Sequence, residues 1–139
     1  MSVLSVGLST THSLAKSPTS YIYLLTNQGV QSDVHCSPTP SSNPRQVSLL
    51  DSSLLTTLSK GTPSLALSPG SLGENITTSD LDLTSLPLNT LLHFGDHEGH
   101  AVVRLTGVRE PRKRVAEWPK GFRERCRKMV GVMGVVERE

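Results

Sequence analysis

Residues 90–106 read Thr90-Leu91-Leu92-His93-Phe94, then Gly95-Asp96-His97-Glu98-Gly99-His100, then Ala101-Val102-Val103-Arg104-Leu105-Thr106. Two runs rich in aliphatic and β-branched residues flank a polar stretch bounded by glycines. That pattern predicts a β-hairpin with 95–100 as its solvated connection. The same grammar recurs upstream. Ser2 to Leu8 alternates small polar and aliphatic residues, as a first strand would. Tyr21-Ile22-Tyr23-Leu24-Leu25 lies between Pro18 and Asn27-Gln28-Gly29 and predicts a second strand. Arg45 to Leu50 predicts a third. Asp51 then offers a side-chain oxygen to cap a short helix over 52–59, with Gly61 closing it. Pro38, Pro40 and Pro44 mark 36–44 as an irregular loop, and Ser68-Pro69-Gly70 marks a turn. Toward the C-terminus, Phe122, Cys126 and Val130 recur at four-residue steps, on one face of a helix with Pro119 in its first turn. Many short strands without a strand–helix–strand rhythm predict a mainly β fold, a barrel or sandwich with a few short peripheral helices.

Composition bounds the rest. The chain has 139 residues, enough for a single domain over 1–139. Hydrophobic residues make up 35% and aromatics only 4%, so Leu and Val must fill the core. No apolar run reaches the roughly 18 residues of a membrane span. No basic residue precedes the apolar opening, so a secretory signal is not expected. Two cysteines, Cys36 and Cys126, make neither a disulfide scaffold nor a zinc site, and the expected compartment is the cytoplasm with both thiols free. The net charge of +2 conceals a split: residues 109–139 carry +5 and the first 108 carry −3. Arg109, Arg112, Lys113 and Arg114, then Arg123, Arg125, Arg127 and Lys128, make 112–130 a basic, helical segment. Such a block either attracts anions or is a solvated face balanced by Glu117 and Glu124. Only Trp118 and Phe122 accompany it, which argues against nucleic acid.

Individual motifs leave the chemistry open. Asp96 to His100 holds metal-ligand residue types, but a hairpin loop needs the same polarity. Ser68 to Gly73 is glycine-rich yet lacks the Lys-Ser/Thr of a phosphate loop, and Asn75-Ile76-Thr77 fits a glycosylation acceptor only in a secreted chain. Asp33 and His35, two apart on an extended strand, would share a face and make either an acid–base pair or a plain hydrogen bond. Cys126 sits between Arg125 and Arg127, which favours a thiolate, and also on the apolar helix stripe, which favours a buried structural thiol.

Several segments, in order, resemble one family. Pro69-Gly70-Ser71-Leu72-Gly73-Glu74-Asn75-Ile76-Thr77-Thr78, followed by Leu81-Asp82-Leu83, resembles the motif PGxxGENxTxxGLDL, with Asp80 where Gly is usual. Ala101 to Pro111 resembles VVxVTGLRxPC. Asp33-Val34-His35 with Arg45-Gln46-Val47-Ser48-Leu49-Leu50 resembles GDxHxG…RQVHLI. His12-Ser13 with Lys16 is similar to HSFSK, and Gly131 to Val136 to GVMGVV. All belong to the MOSC domain, named for the C-terminal part of molybdenum cofactor sulfurase, and the series is similar to its stand-alone, YiiM-like branch, here diverged and shortened. The resemblance implies a β-barrel of the pyruvate-kinase-barrel type. It implies molybdenum cofactor as a small anionic ligand, with pyridoxal phosphate only a family-level association. It also implies sulfur carriage, or reduction of N-hydroxylated compounds with a redox partner protein. Lys16, Asp33, His35, Arg45, Glu74, Asn75, Thr77 and Arg109 are the binding residues it implies. The family's cysteine position is Arg112, which carries no persulfide; its role does not transfer to Cys36 or Cys126. The alternative is a non-catalytic anion-binding module that has lost the thiol.

Overall fold

In the computed structural model, residues 1–60, 66–110 and 131–139 are described. Among them, nine strands and one α-helix follow in order: β1 Ser2–Leu8, β2 Ser17–Thr19, β3 Leu24–Leu25, β4 Gly29–Val30, β5 Val47–Asp51, α1 Ser52–Lys60, β6 Ile76–Ser79, β7 Leu91–Phe94, β8 Ala101–Val108 and β9 Val132–Arg138. Seven strands form one curled half-barrel sheet in the order β2-β1-β6-β5-β9-β8-β7. The fold is mainly β, as the strand pattern predicts. Among the described residues, no helix is long and apolar enough to cross a membrane.

The hairpin over 90–106 is present: β7 and β8 pair antiparallel, with Leu92 opposite Val103 and Phe94 opposite Ala101. β5 is the central strand and reads as its burial requires. Val47 and Leu49 enter the main core with Ile76, Val103, Leu105, Val132 and Val136, while Leu50 turns to a second cluster with Leu55, Leu58 and Leu72. A strand buried on both faces needs such a continuous apolar run. Helix α1 closes that second cluster with Leu55 and Leu58, spaced to share one face.

Asp51 caps α1, accepting the Ser53 N–H at 2.9 Å through Oδ1, and its Oδ2 accepts the Leu81 N–H at 3.1 Å. Burial acts to raise its pKa, yet the hydrogen bonds from Ser53, Leu81 and Thr78 hold the carboxyl below its ordinary value. Asp51→Ala should cost about 1–2 kcal/mol, measured by denaturant unfolding, because one change orphans two donors.

Three expectations need correction. Tyr21 and Tyr23 are not in a strand; only Leu24 and Leu25 of that run pair, with β4. Tyr21 and Tyr23 remain 65% and 61% exposed, because strand propensity expresses packing against a neighbour and no described strand pairs with them. Pro18, read as a boundary, lies inside edge strand β2, where its missing N–H costs nothing. A strand–helix–strand unit does occur: β5 and β6 pair parallel across α1. A parallel neighbour cannot be reached by a tight turn, so the chain needs this crossover. The expected helix over 112–130, including Cys126 and Arg112, lies outside the described residues.

Candidate functional site

The site begins at a buried carboxylate. Asp33 sits in a turn after β4, not on the extended strand that its spacing from His35 suggested. The turn still joins the two: Asp33 Oδ1 accepts the His35 N–H at 3.0 Å and faces His35 Nδ1 at 3.2 Å. Oδ2 accepts the Ser9 N–H at 3.0 Å, Lys16 Nζ at 2.5 Å and Asn75 Nδ2 at 3.3 Å. Burial alone would raise the Asp33 pKa. The donations from His35, Lys16 and the Ser9 backbone outweigh it and hold the carboxyl well below the usual carboxylate range. An ionised Asp33 only accepts, so His35 Nδ1 carries the proton. Nε2 is then the free edge of a ring whose side chain is 42% exposed. The His12 ring meets it edge-on, with centroids 5.6 Å apart.

Asn75 ties this turn to the sheet. Its Nδ2 also donates to the Gly7 carbonyl at 3.1 Å, and its Oδ1 accepts the Ser48 N–H at 3.2 Å. Ser48 Oγ lies 3.0 Å from Asn75 Oδ1 and 3.2 Å from the Gly73 carbonyl. Ser48 stands where the resembling motif has His, and sequence reading passes over it.

The glycines of Pro69-Gly70-Ser71-Leu72-Gly73 permit close approach. Gly70 has φ +87° and Gly73 φ +81°, and a Cβ on either would lie 2.3 Å from the carbonyl of Lys16 or Leu14. Only glycine combines that conformation with that contact. Lys16 N–H donates back to the Gly70 carbonyl at 2.9 Å. Glu74, fully buried, braces the loop: its Oε1 accepts the Gly70 N–H at 2.7 Å and the Thr77 hydroxyl at 3.0 Å. Asp80, where the family has Gly, adopts φ +55°, the left-handed conformation that explains the family's glycine and that Asp tolerates. A Cβ on Gly73 would also lie 3.0 Å from Arg109 Nη2, so Arg109 and the 70–78 segment meet.

Of the expected residues, Lys16, Asp33, His35 and Asn75 share one hydrogen-bonded network. Glu74 and Thr77 form a second beside it, and Arg109 reaches it at Gly73. Arg45 is exposed just before β5, its N–H bonded to Asn43 Oδ1 at 3.0 Å. Cys36, half-buried, is the one cysteine among the described residues. Burial, then the Asp33 charge, pushes its thiol pKa up, so it is held as a thiol.

The MOSC domain profile matches residues 31–138. The chain belongs to the MOSC family. No curated protein sequence matches it. Among solved structures, this MOSC chain is similar to the YuaD protein of Bacillus subtilis, at 18% identity and TM-score 0.74, covering 98% of this chain and 87% of that one. It is also similar to YiiM of Geobacillus stearothermophilus, at 15% identity and TM-score 0.67, covering 99% of this chain and 68% of that one. YiiM of Escherichia coli matches at 14% identity and TM-score 0.70, over 99% of this chain but only 63% of that protein. At such identities these neighbours show the MOSC fold alone.

Proposed function

We propose that this MOSC chain binds molybdenum cofactor, with sulfur carriage or reduction of N-hydroxylated compounds beside a redox partner as the activity class. The observation that supports it is the buried Lys16–Asp33 ion pair: Asp33 holds exposed His35, and the Lys16 N–H bonds the Gly70 carbonyl of the turn that Arg109 reaches at Gly73. A buried ion pair is expensive to maintain, and such pairs concentrate where a neighbouring group must be oriented.

The residues fit the anionic and pterin parts of that group. Arg109 would hold an oxyanion by charge-assisted hydrogen bonds, and His35 would add its exposed Nε2 edge. Lys16 holds Asp33 ionised, and Asp33 holds the imidazole in place. Glu74 Oε2, buried and without a hydrogen bond among the described residues, is an acceptor suited to an N–H donor. The cofactor's molybdenum would supply oxygen- or sulfur-transfer chemistry when bound. Cys36, as a thiol, is not prepared to ligate it.

The test is anaerobic purification after co-expression with cofactor synthesis, with molybdenum per chain measured by mass spectrometry. Folded wild type should carry molybdenum, and His35→Ala and Arg109→Ala should each weaken retention about 10- to 100-fold. Molybdenum absent from folded wild type, or equal in both variants, overturns the binding site. Molybdenum bound without turnover keeps the site, rejects the activity, and selects the non-catalytic module.

A further inference from the structure

A groove of about 770 Å³ opens beside the main core, apart from the site above: Lys16, Asp33, His35, Glu74 and Arg109 do not line it. Its floor is Val6, Ile76, Phe94 and Ala101, which belong to the main core or pack against it. One wall is the 21–23 segment. Ile22 packs against the core, while Tyr21 and Tyr23 on either side of it stay exposed and meet edge to face, with ring centroids 5.2 Å apart. Hydrogen bonds hold that wall in place. The Tyr21 carbonyl accepts the Thr19 hydroxyl at 2.8 Å, and the Tyr23 carbonyl accepts the Gln31 N–H at 2.9 Å. Among the described residues lining the groove, Glu139 carries the one side-chain charge, and it is negative.

We propose that this groove binds a small organic cation, a flat apolar body carrying an ammonium group. The volume falls within the range of about 300–1,000 Å³ that small-molecule sites occupy, and such sites are apolar with a few polar groups that fix orientation. The floor removes the apolar body from water. Aromatic faces carry negative charge density, so the two tyrosine rings attract an ammonium and repel a carboxylate. Glu139 acts in the same sense. The chain as a whole carries +2, so its long-range field favours anions, and a preference for the cation reports the groove itself.

Isothermal titration of the intact chain with 2-naphthylmethylamine, against 2-naphthylacetate as the anion of similar shape, tests the assignment. The amine should bind one per chain and about tenfold tighter than the acetate. Tyr21→Ala and Tyr23→Ala should each weaken the amine about fivefold, with circular dichroism unchanged because both side chains are exposed. Glu139→Gln should remove much of the preference for the amine. His35→Ala and Arg109→Ala, which alter the other site, should leave amine binding intact. Equal binding of amine and acetate, no binding of the amine, or unchanged affinity in both tyrosine variants overturns the proposal. So does a dimer that Tyr21→Ala or Tyr23→Ala dissociates in light scattering, because a second copy then fills the groove.

Discussion

Asp33→Ala is expected to lower the melting temperature by about 10 °C or more. The substitution leaves Lys16 buried with its charge uncompensated and removes the acceptor for Ser9 N–H, His35 N–H, His35 Nδ1 and Asn75 Nδ2. Breaking a buried pair from one side costs about 3–5 kcal/mol, and each kcal/mol moves the midpoint several degrees in a chain of this size. Lys16→Met should cost less, because Asp33 keeps its N–H donors. The carboxyl also makes stability pH-dependent. Its folded pKa lies below the unfolded value, so its contribution is complete above the unfolded pKa of about 4 and disappears as pH falls through the lower, folded one. Thermal melts at pH 7 and pH 3 should show wild type losing stability on acidification and Asp33→Asn losing distinctly less. An Asp33→Ala protein that melts with wild type at pH 7 would refute the account.

Gly73→Ala should be nearly as damaging and should also disturb the site. The residue sits at φ +81°, where a side chain stores about 1–3 kcal/mol of strain. Its Cβ would then collide with the Leu14 carbonyl at 2.3 Å, and backbone yields only by moving the 14–16 segment. Overpacking of this kind adds about 1–3 kcal/mol. Gly99 isolates the two effects: it has φ +94°, but a Cβ there would meet nothing within 4 Å, so Gly99→Ala should show the strain alone. Urea midpoints with unchanged slopes would separate the pair, and equal losses at both positions would remove close approach as the reason for Gly73.

How far the chain was readable varies by element. The 90–106 hairpin, β1, the Asp51 cap and α1 were legible, because alternation, turn residues and capping act between near neighbours. Tyr21–Tyr23 misled for a physical reason: aromatic, β-branched sequence states a preference for a neighbour, and no described strand supplies one. β9 escaped the local reading because Gly131-Val132-Met133-Gly134 lacks alternation; pairing with both β5 and β8 makes it a strand. Within the site, Lys16, Asp33, His35 and Asn75 were named through ordered motif matches. Their partners Ser9 and Ser48 were not, since a backbone N–H and a small hydroxyl leave no signature.

What the sequence by itself determined is short-range: which segments extend, where the helix starts, and that Ser68-Pro69-Gly70 turns. Tertiary structure alone decided that Asp33 would face Lys16, 17 positions away, and Asn75, 42 positions away. That outcome follows from sheet order β1-β6-β5, which sets Gly7, Asn75 and Ser48 side by side. Strand pairing between distant segments is selected by the energy of the whole sheet and core, and no local stretch encodes it.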